Sequence, residues 1–288
     1  MKNFPLIILL LAFKISFSSP QIPDLLIIGN DTIRIYHLPL EIFLSENKDS
    51  FINYLRNNEK GFFPSTSCWR GYQGIWLLED NKLYLKDLDI NWIEDEISTT
   101  EVLEKTFKEK FINGKVLAEW FSSDIIIPKG KMLRWDNFFK RTYLKEEIMT
   151  LKNGVLTNKK VVENYVDLPK GISRLENKII VETIFNELEK LDWAKLSEIY
   201  CDDTYWITIN RRGKISKVEL FSPYFESMWE EIGWWLEIRK CRKKLKKALK
   251  GLQFDIIKWH GKNYEEKIYI ELFYEEETNK LENFTPLE

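Results

Sequence analysis

The sequence predicts an α+β fold in two domains, and three observations carry that prediction. Short apolar runs separated by turn-forming stretches dominate the chain up to Tyr165. A Pro- and Gly-bearing segment, Val166 to Ile172, follows. Beyond it, helical spacing and period-two alternation succeed one another. The expected organisation is a strand-rich antiparallel domain over 23–165, a linker over 166–172 and a two-layer α/β domain over 173–280.

In the first domain, Leu25 to Gly29 and Thr32 to Tyr36 read as strands around Asn30-Asp31, and a helix is expected near Ser50 to Leu55. Trp69 to Leu78 and Leu83 to Ile90 flank Glu79-Asp80-Asn81-Lys82, which predicts a hairpin. A helix is expected over Glu101 to Phe111, then short strands at Val116 to Phe121, Asp124 to Ile127 and Met132 to Trp135. Asn153-Gly154, between Tyr143 to Leu151 and Val155 to Tyr165, is the strongest hairpin signal of the chain.

In the second domain, Ser173 stands three residues before Glu176, the spacing at which hydroxyl and carboxylate each satisfy a backbone donor at a helix start. That predicts a helix from Arg174 to Leu191, with Ile180, Ile184 and Leu188 on its apolar face. Tyr205, Ile207 and Ile209 alternate as a strand, Arg211-Arg212-Gly213 turns, and Lys214 to Phe221 returns. Met228, Ile232, Trp235, Ile238, Leu245 and Leu252 recur at helical steps, and Ile268, Ile270 and Leu272 close the domain as a strand.

The first 18 residues read as a cleaved export signal: basic Lys2, an apolar run from Phe4 to Phe13, and small Ser16 and Ser18, with cleavage after Ser18. Pro5 and Lys14 interrupt a run that is shorter than the roughly 20 apolar residues of a membrane span. An uncleaved anchor is the alternative. The expected mature chain is periplasmic or secreted, with no stable membrane span. Loss of Lys2 and Lys14 takes the formal net charge from −2 to −4, which disfavours nucleic acid as a partner. At 44% hydrophobic and 14% aromatic the chain can fill real cores, which argues against disorder. Cys201 and Cys241 are the candidate disulfide in an oxidising compartment; three buried thiols, Cys68 included, are the alternative.

Residues 200–273 resemble the C-terminal domain of TonB, through Thr208-Ile209-Asn210-Arg211-Arg212-Gly213-Lys214-Ile215, Leu245-Lys246-Lys247-Ala248-Leu249-Lys250-Gly251-Leu252, and Gly261-Lys262 before Glu266-Lys267-Ile268-Tyr269-Ile270. The resemblance implies a small sheet with helices on one face. Lys258-Trp259-His260 stands where that family has tryptophan-proline, and no proline-rich span precedes the domain. The first domain resembles exported bacterial proteins of uncharacterised activity, through Ser65-Thr66-Ser67-Cys68-Trp69-Arg70-Gly71-Tyr72, Trp76, Asp80-Asn81-Lys82-Leu83-Tyr84-Leu85 and the upstream Leu38-Pro39-Leu40-Glu41.

Catalytic signatures are sparse. His37 and His260 are the only histidines, and the cysteines lack CxxC spacing, so neither a metal nor another cofactor is expected. There is no GxSxG elbow, and Cys68 has Arg70 but no histidine nearby in sequence. The expected function is a non-enzymatic binding or assembly module of the cell envelope, with an envelope protein as partner and Trp69, Arg70 and Tyr72 as its contact patch; the sequence leaves oligomeric state open. In the opposing reading, Arg70 caps an internal carboxylate. Two other classes remain: a hydrolase of envelope glycan or peptide, and a protein that docks an anionic surface through the basic helix 239–250. That helix carries Arg239, Lys240, Arg242, Lys243, Lys244, Lys246, Lys247 and Lys250, a set that also suits a merely solvated face.

Overall fold

The computed structural model describes residues 21–57, 64–90, 98–136, 140–199, 201–221 and 230–285. The expected signal and its cleavage point at Ser18 lie outside the described residues. The fold is α+β, and the chain divides between Val162 and Glu163 into two compact units.

In the first unit, β1 (Asp24–Ile28) and β2 (Asp31–Ile35) form the expected hairpin. Pro39 opens α1 (Pro39–Glu46), where its missing N–H leaves nothing unsatisfied. The Ser50 hydroxyl caps α2 (Phe51–Arg56) by accepting from the Asn53 N–H. The hairpin of β3 (Tyr72–Glu79) and β4 (Lys82–Ile90) turns on Asp80 and Asn81, both at positive φ, which matches the right-handed twist of the strands. Ser98 caps α3 (Thr99–Phe107), and a single 3-10 turn follows over Lys108–Lys110. Short β5 (Phe111–Ile112) and β6 (Lys115–Leu117) lead into β7 (Asp124–Asp136), one continuous strand where two were expected. β8 (Lys140–Lys152) and β9 (Val155–Glu163) turn at Asn153-Gly154, again with positive φ at both residues.

These strands make one sheet of order β2-β1-β3-β4-β9-β8-β7, with β6 on β4 and β5 on β6. Its pairing is antiparallel except for β1 on β3, which run parallel. The sheet curls until β2 comes near β7, and Arg141 of β8 lies 4.1 Å from the ring centre of Tyr36. Leu26, Ile35, Leu40, Ile52, Trp76, Leu83, Val102 and Ile125 join α1, α2, α3 and the sheet in one core.

The second unit begins earlier than expected. Residues 166–172 are not a free linker: β10 (Tyr165–Val166) pairs with β13 (Ile256–Trp259), and the Ile172 N–H donates to the Gln253 carbonyl at 2.8 Å. The Asp255 carboxylate explains the docking, because it accepts from the Leu168 N–H at 2.9 Å and from the Tyr165 hydroxyl at 2.5 Å. The capping box also fails. Ser173 Oγ accepts from Leu175 N–H instead, and Arg174 is buried against Glu266 at 2.5 Å and the Asp255 carbonyl at 3.2 Å. Burial of that side chain delays α4 to Asn177–Leu188, with no side-chain cap.

After α5 (Trp193–Ser197), β11 (Thr204–Ile209) and β12 (Ile215–Leu220) form the expected hairpin. α6 (Glu230–Leu249) follows, then β13 with its partner β14 (Lys262–Asn263). β15 (Glu266–Glu275) and β16 (Lys280–Asn283) complete an antiparallel sheet of order β12-β11-β15-β16. Tyr205, Ile207, Val218, Ile268 and Ile270 pack from the sheet against Ile180, Ile184, Leu245 and Leu249 of the helices, a two-layer arrangement.

A disulfide joins Cys201, just before β11, to Cys241 on α6 with Cα atoms 5.6 Å apart, and so staples the helix to its sheet. Closing a loop of 40 residues restricts the unfolded chain. Reduction is therefore expected to lower the unfolding free energy by about 4 kcal/mol. Urea curves of oxidised and reduced protein measure this, and coincident curves would show that the closure contributes nothing.

Candidate functional site

The segment from Ser65 to Tyr72 was expected to present a patch, and its backbone shows why it cannot. Ser65 and Cys68 exchange both backbone hydrogen bonds, the Gly71 N–H donates to the Cys68 carbonyl at 3.0 Å, and Gly71 takes φ 77°. This tight turn throws Trp69 outward, 51% exposed, and drives Arg70 inward, 1% exposed. Tyr72 is equally buried. Of the three expected contact residues only Trp69 meets solvent.

The interior side of the turn is the polar network of the opposing reading, in which Arg70 caps an internal carboxylate; that carboxylate is Asp24, which the sequence did not identify. Arg70 NH2 lies 3.2 Å from Asp24 Oδ1 and also donates to the carbonyls of Ile22, at 3.0 Å, and Tyr72, at 3.3 Å. The same carboxylate accepts from the Gly74 N–H at 3.0 Å and from Trp76 Nε1 at 2.9 Å. Gly74 leaves room for this, since a Cβ there would stand 2.7 Å from Asp24 Oδ2 and 2.8 Å from Trp76 Nε1. The Tyr72 hydroxyl donates to Glu41 at 2.6 Å, and burial pushes the phenol pKa well up, so it keeps that proton. Cys68 is buried, its thiol 3.1 Å from the Tyr72 carbonyl. Arg70 caps an internal carboxylate, and the network holds the fold together.

Cations that face water crowd α6. Ile238, Cys241, Leu245 and Leu249 turn inward at helical spacing, which leaves Arg239, Lys243, Lys244, Lys246 and Lys247 exposed and Arg242 half-buried. A groove of about 280 Å³ runs between this face and β12, lined by Ser216, Lys217, Val218, Ile238, Arg239, Arg242, Lys243 and Lys246. Val218 and Ile238 are buried and form an apolar floor. Arg242 Nε donates to the Val218 carbonyl at 2.7 Å, which fixes the guanidinium over the groove. A second groove of about 430 Å³ lies on the α5 side, lined by Leu191, Asp192, Lys195, Leu196, Lys244, Lys247 and Ala248. Its carboxylate, Asp192, is paired with Lys195 at 2.6 Å, and the bond to that ammonium pulls its pKa down.

No family model, no curated protein and no solved structure matches this chain. The site is therefore read from its own chemistry. Among the described residues, no group of three or more His, Cys, Asp or Glu side chains gathers as a metal site, and His37 and His260 fall in different units. Among the same residues, no helix is long and apolar enough to cross a membrane.

The two neighbours Trp69 and Arg70 give opposite expectations. Arg70→Ala strands a buried carboxylate and is expected to cost about 3–5 kcal/mol of stability, whereas Trp69→Ala should stay within about 0.5 kcal/mol. Denaturant unfolding of both variants checks this, and equal, small losses would refute the buried clamp. Burial, outweighing the Arg70 charge, also raises the Asp24 pKa from 3.8 to about 6. A raised carboxyl pKa stabilises the fold below the unfolded value, and that contribution is lost as pH rises through the folded one. The unfolding free energy of wild type minus that of Asp24→Asn should therefore fall by about 2 kcal/mol between pH 4 and pH 7. A difference that is flat or rising over this window would contradict the assignment.

Proposed function

We propose that this chain is an exported cell-envelope protein that works by binding, and that the basic face of α6 is its contact surface for an anionic partner. The observation that carries this reading is the pair of grooves flanking one helix, one lined by Lys and Arg and the other by Lys from its solvent side. Charge alone would suit a solvated face, but a groove with an apolar floor and a guanidinium anchored by Val218 is a shaped receptor. The contact patch moves from the Trp-Arg-Gly-Tyr turn to α6, because Arg70 and Tyr72 are spent inside the fold.

Three further points support the reading. The Cys201–Cys241 disulfide suits an oxidising compartment, in keeping with the signal expected over 1–18. The β11–β12 hairpin, the long α6 and the return of β15 beside β11 make a small sheet with helices on one face, the arrangement expected if residues 200–273 are a TonB-like envelope domain. Binding is favoured over glycan hydrolysis because that chemistry needs two opposed carboxylates, and the two grooves hold one, already paired to a lysine.

A formal net charge of −2 for the whole chain, or −4 without its signal, opposes retention on a polyanion, so retention would report the local patch. The mature protein is expected to bind a heparin column at low salt and to elute as salt shortens the screening length to about 8 Å near physiological strength. A variant with Lys243, Lys244, Lys246 and Lys247 changed to Glu should flow through with an unchanged melting temperature. Retention of that variant alongside wild type would overturn the reading.

A further inference from the structure

The groove between α6 and β12 differs in kind from its neighbour. Arg239, Arg242, Lys243 and Lys246 recur at steps of three, four and seven residues, so they stand on one stripe about 10 Å long. No carboxylate is among the lining residues, whereas Asp192 offsets charge in the α5-side groove. Arg242 is half-buried and spends only Nε on the Val218 carbonyl, which leaves its two terminal nitrogens with no partner among the described residues. Lys243 and Lys246 likewise form no ion pair among those residues. At about 280 Å³ the groove lies at the small end for ligand sites, matched to a head group rather than to a large molecule.

Resting on the reading that α6 is the contact face, we propose that this groove is a site for a phosphoryl group carried on a short carbon skeleton. A guanidinium held at Nε presents its fork in a fixed orientation, and two lysines one helical turn apart can supply further donors to the remaining oxygens. A phosphate ester offers more acceptor oxygens and more charge than a lone carboxylate, and so answers Arg242, Lys243 and Lys246 together better. Val218 and Ile238 beneath take the carbon skeleton. Soluble glycerol phosphates and glycerophospholipid head groups share this chemistry.

The test uses the mature chain with its disulfide intact, and titrates it with glycerol 1-phosphate, with glutarate as a dicarboxylate of similar charge, and with phosphatidylglycerol vesicles. Glycerol 1-phosphate is expected to bind more tightly than glutarate, and Arg242→Lys, which keeps the charge and loses the fork, should weaken it at least about tenfold. Lys243→Gln with Lys246→Gln is a second variant away from the Val218 anchor, and should weaken the same ligand. Lys247→Gln, on the α5 side, should leave it unchanged. If glutarate binds as well as glycerol 1-phosphate, or if Arg242→Lys binds it like wild type, the phosphoryl site is refuted while heparin retention can still stand. Loss of heparin retention by wild type removes the parent reading as well. Vesicle binding that falls with Arg242→Lys and is displaced by glycerol 1-phosphate supports the lipid source; vesicle binding indifferent to both rules that source out.

Discussion

The ion pair between Asp24 and Arg70 is the constraint on which the first unit is built. Asp24 opens β1, and its carboxylate gathers donors from Arg70 on the turn and from Gly74 and Trp76 on β3. That set fixes the one parallel junction in the sheet, β1 on β3, where no tight hairpin can set the register. Two charges out of water carry a desolvation cost that hydrogen bonds must offset, and such a pair is a specifying device more than a source of net stability. The second unit repeats the logic with different residues: Arg174, fully buried, ties the segment that follows β10 to Glu266 on β15 and to the backbone of Asp255.

This division of labour decides where function can sit. Arg70 and Tyr72 of the Trp-Arg-Gly-Tyr turn are buried and bonded to Asp24 and Glu41, and a side chain sealed in a core cannot greet a partner. α6 is the opposite case, because its apolar stripe and disulfide face the sheet and its lysines are left to solvent. The disulfide matters to function as well as to stability, since it ties Cys241, the residue before Arg242, to the chain entering β11 and so keeps the guanidinium beside β12.

Much of the fold was legible because its signals are local. Asp80-Asn81 and Asn153-Gly154 announce hairpins through backbone conformations those residues tolerate, and the period of two in β11 and β15 marks their buried faces. What escaped depends on partners far away in sequence. Arg70 looks like a contact residue until Asp24, 46 positions earlier, is placed beside it. Ser173 and Glu176 have the spacing of a capping box, yet the demand of Glu266 for Arg174 prevails over that local preference. The segment 166–172 reads as a linker until Asp255 binds it. The basic helix was visible in sequence; the groove was not, because half of its floor, Val218, comes from β12.

The central claim is that the polar turn near Arg70 maintains the fold and the α6 groove meets the ligand. Amide hydrogen exchange with and without inorganic polyphosphate tests it most directly, since one measurement reads both places. The account predicts slowed exchange confined to residues 214–218 and 238–247, with residues 69–76 slow already and unchanged by the polyanion. Protection that appears at residues 65–76, with none on α6, would contradict it.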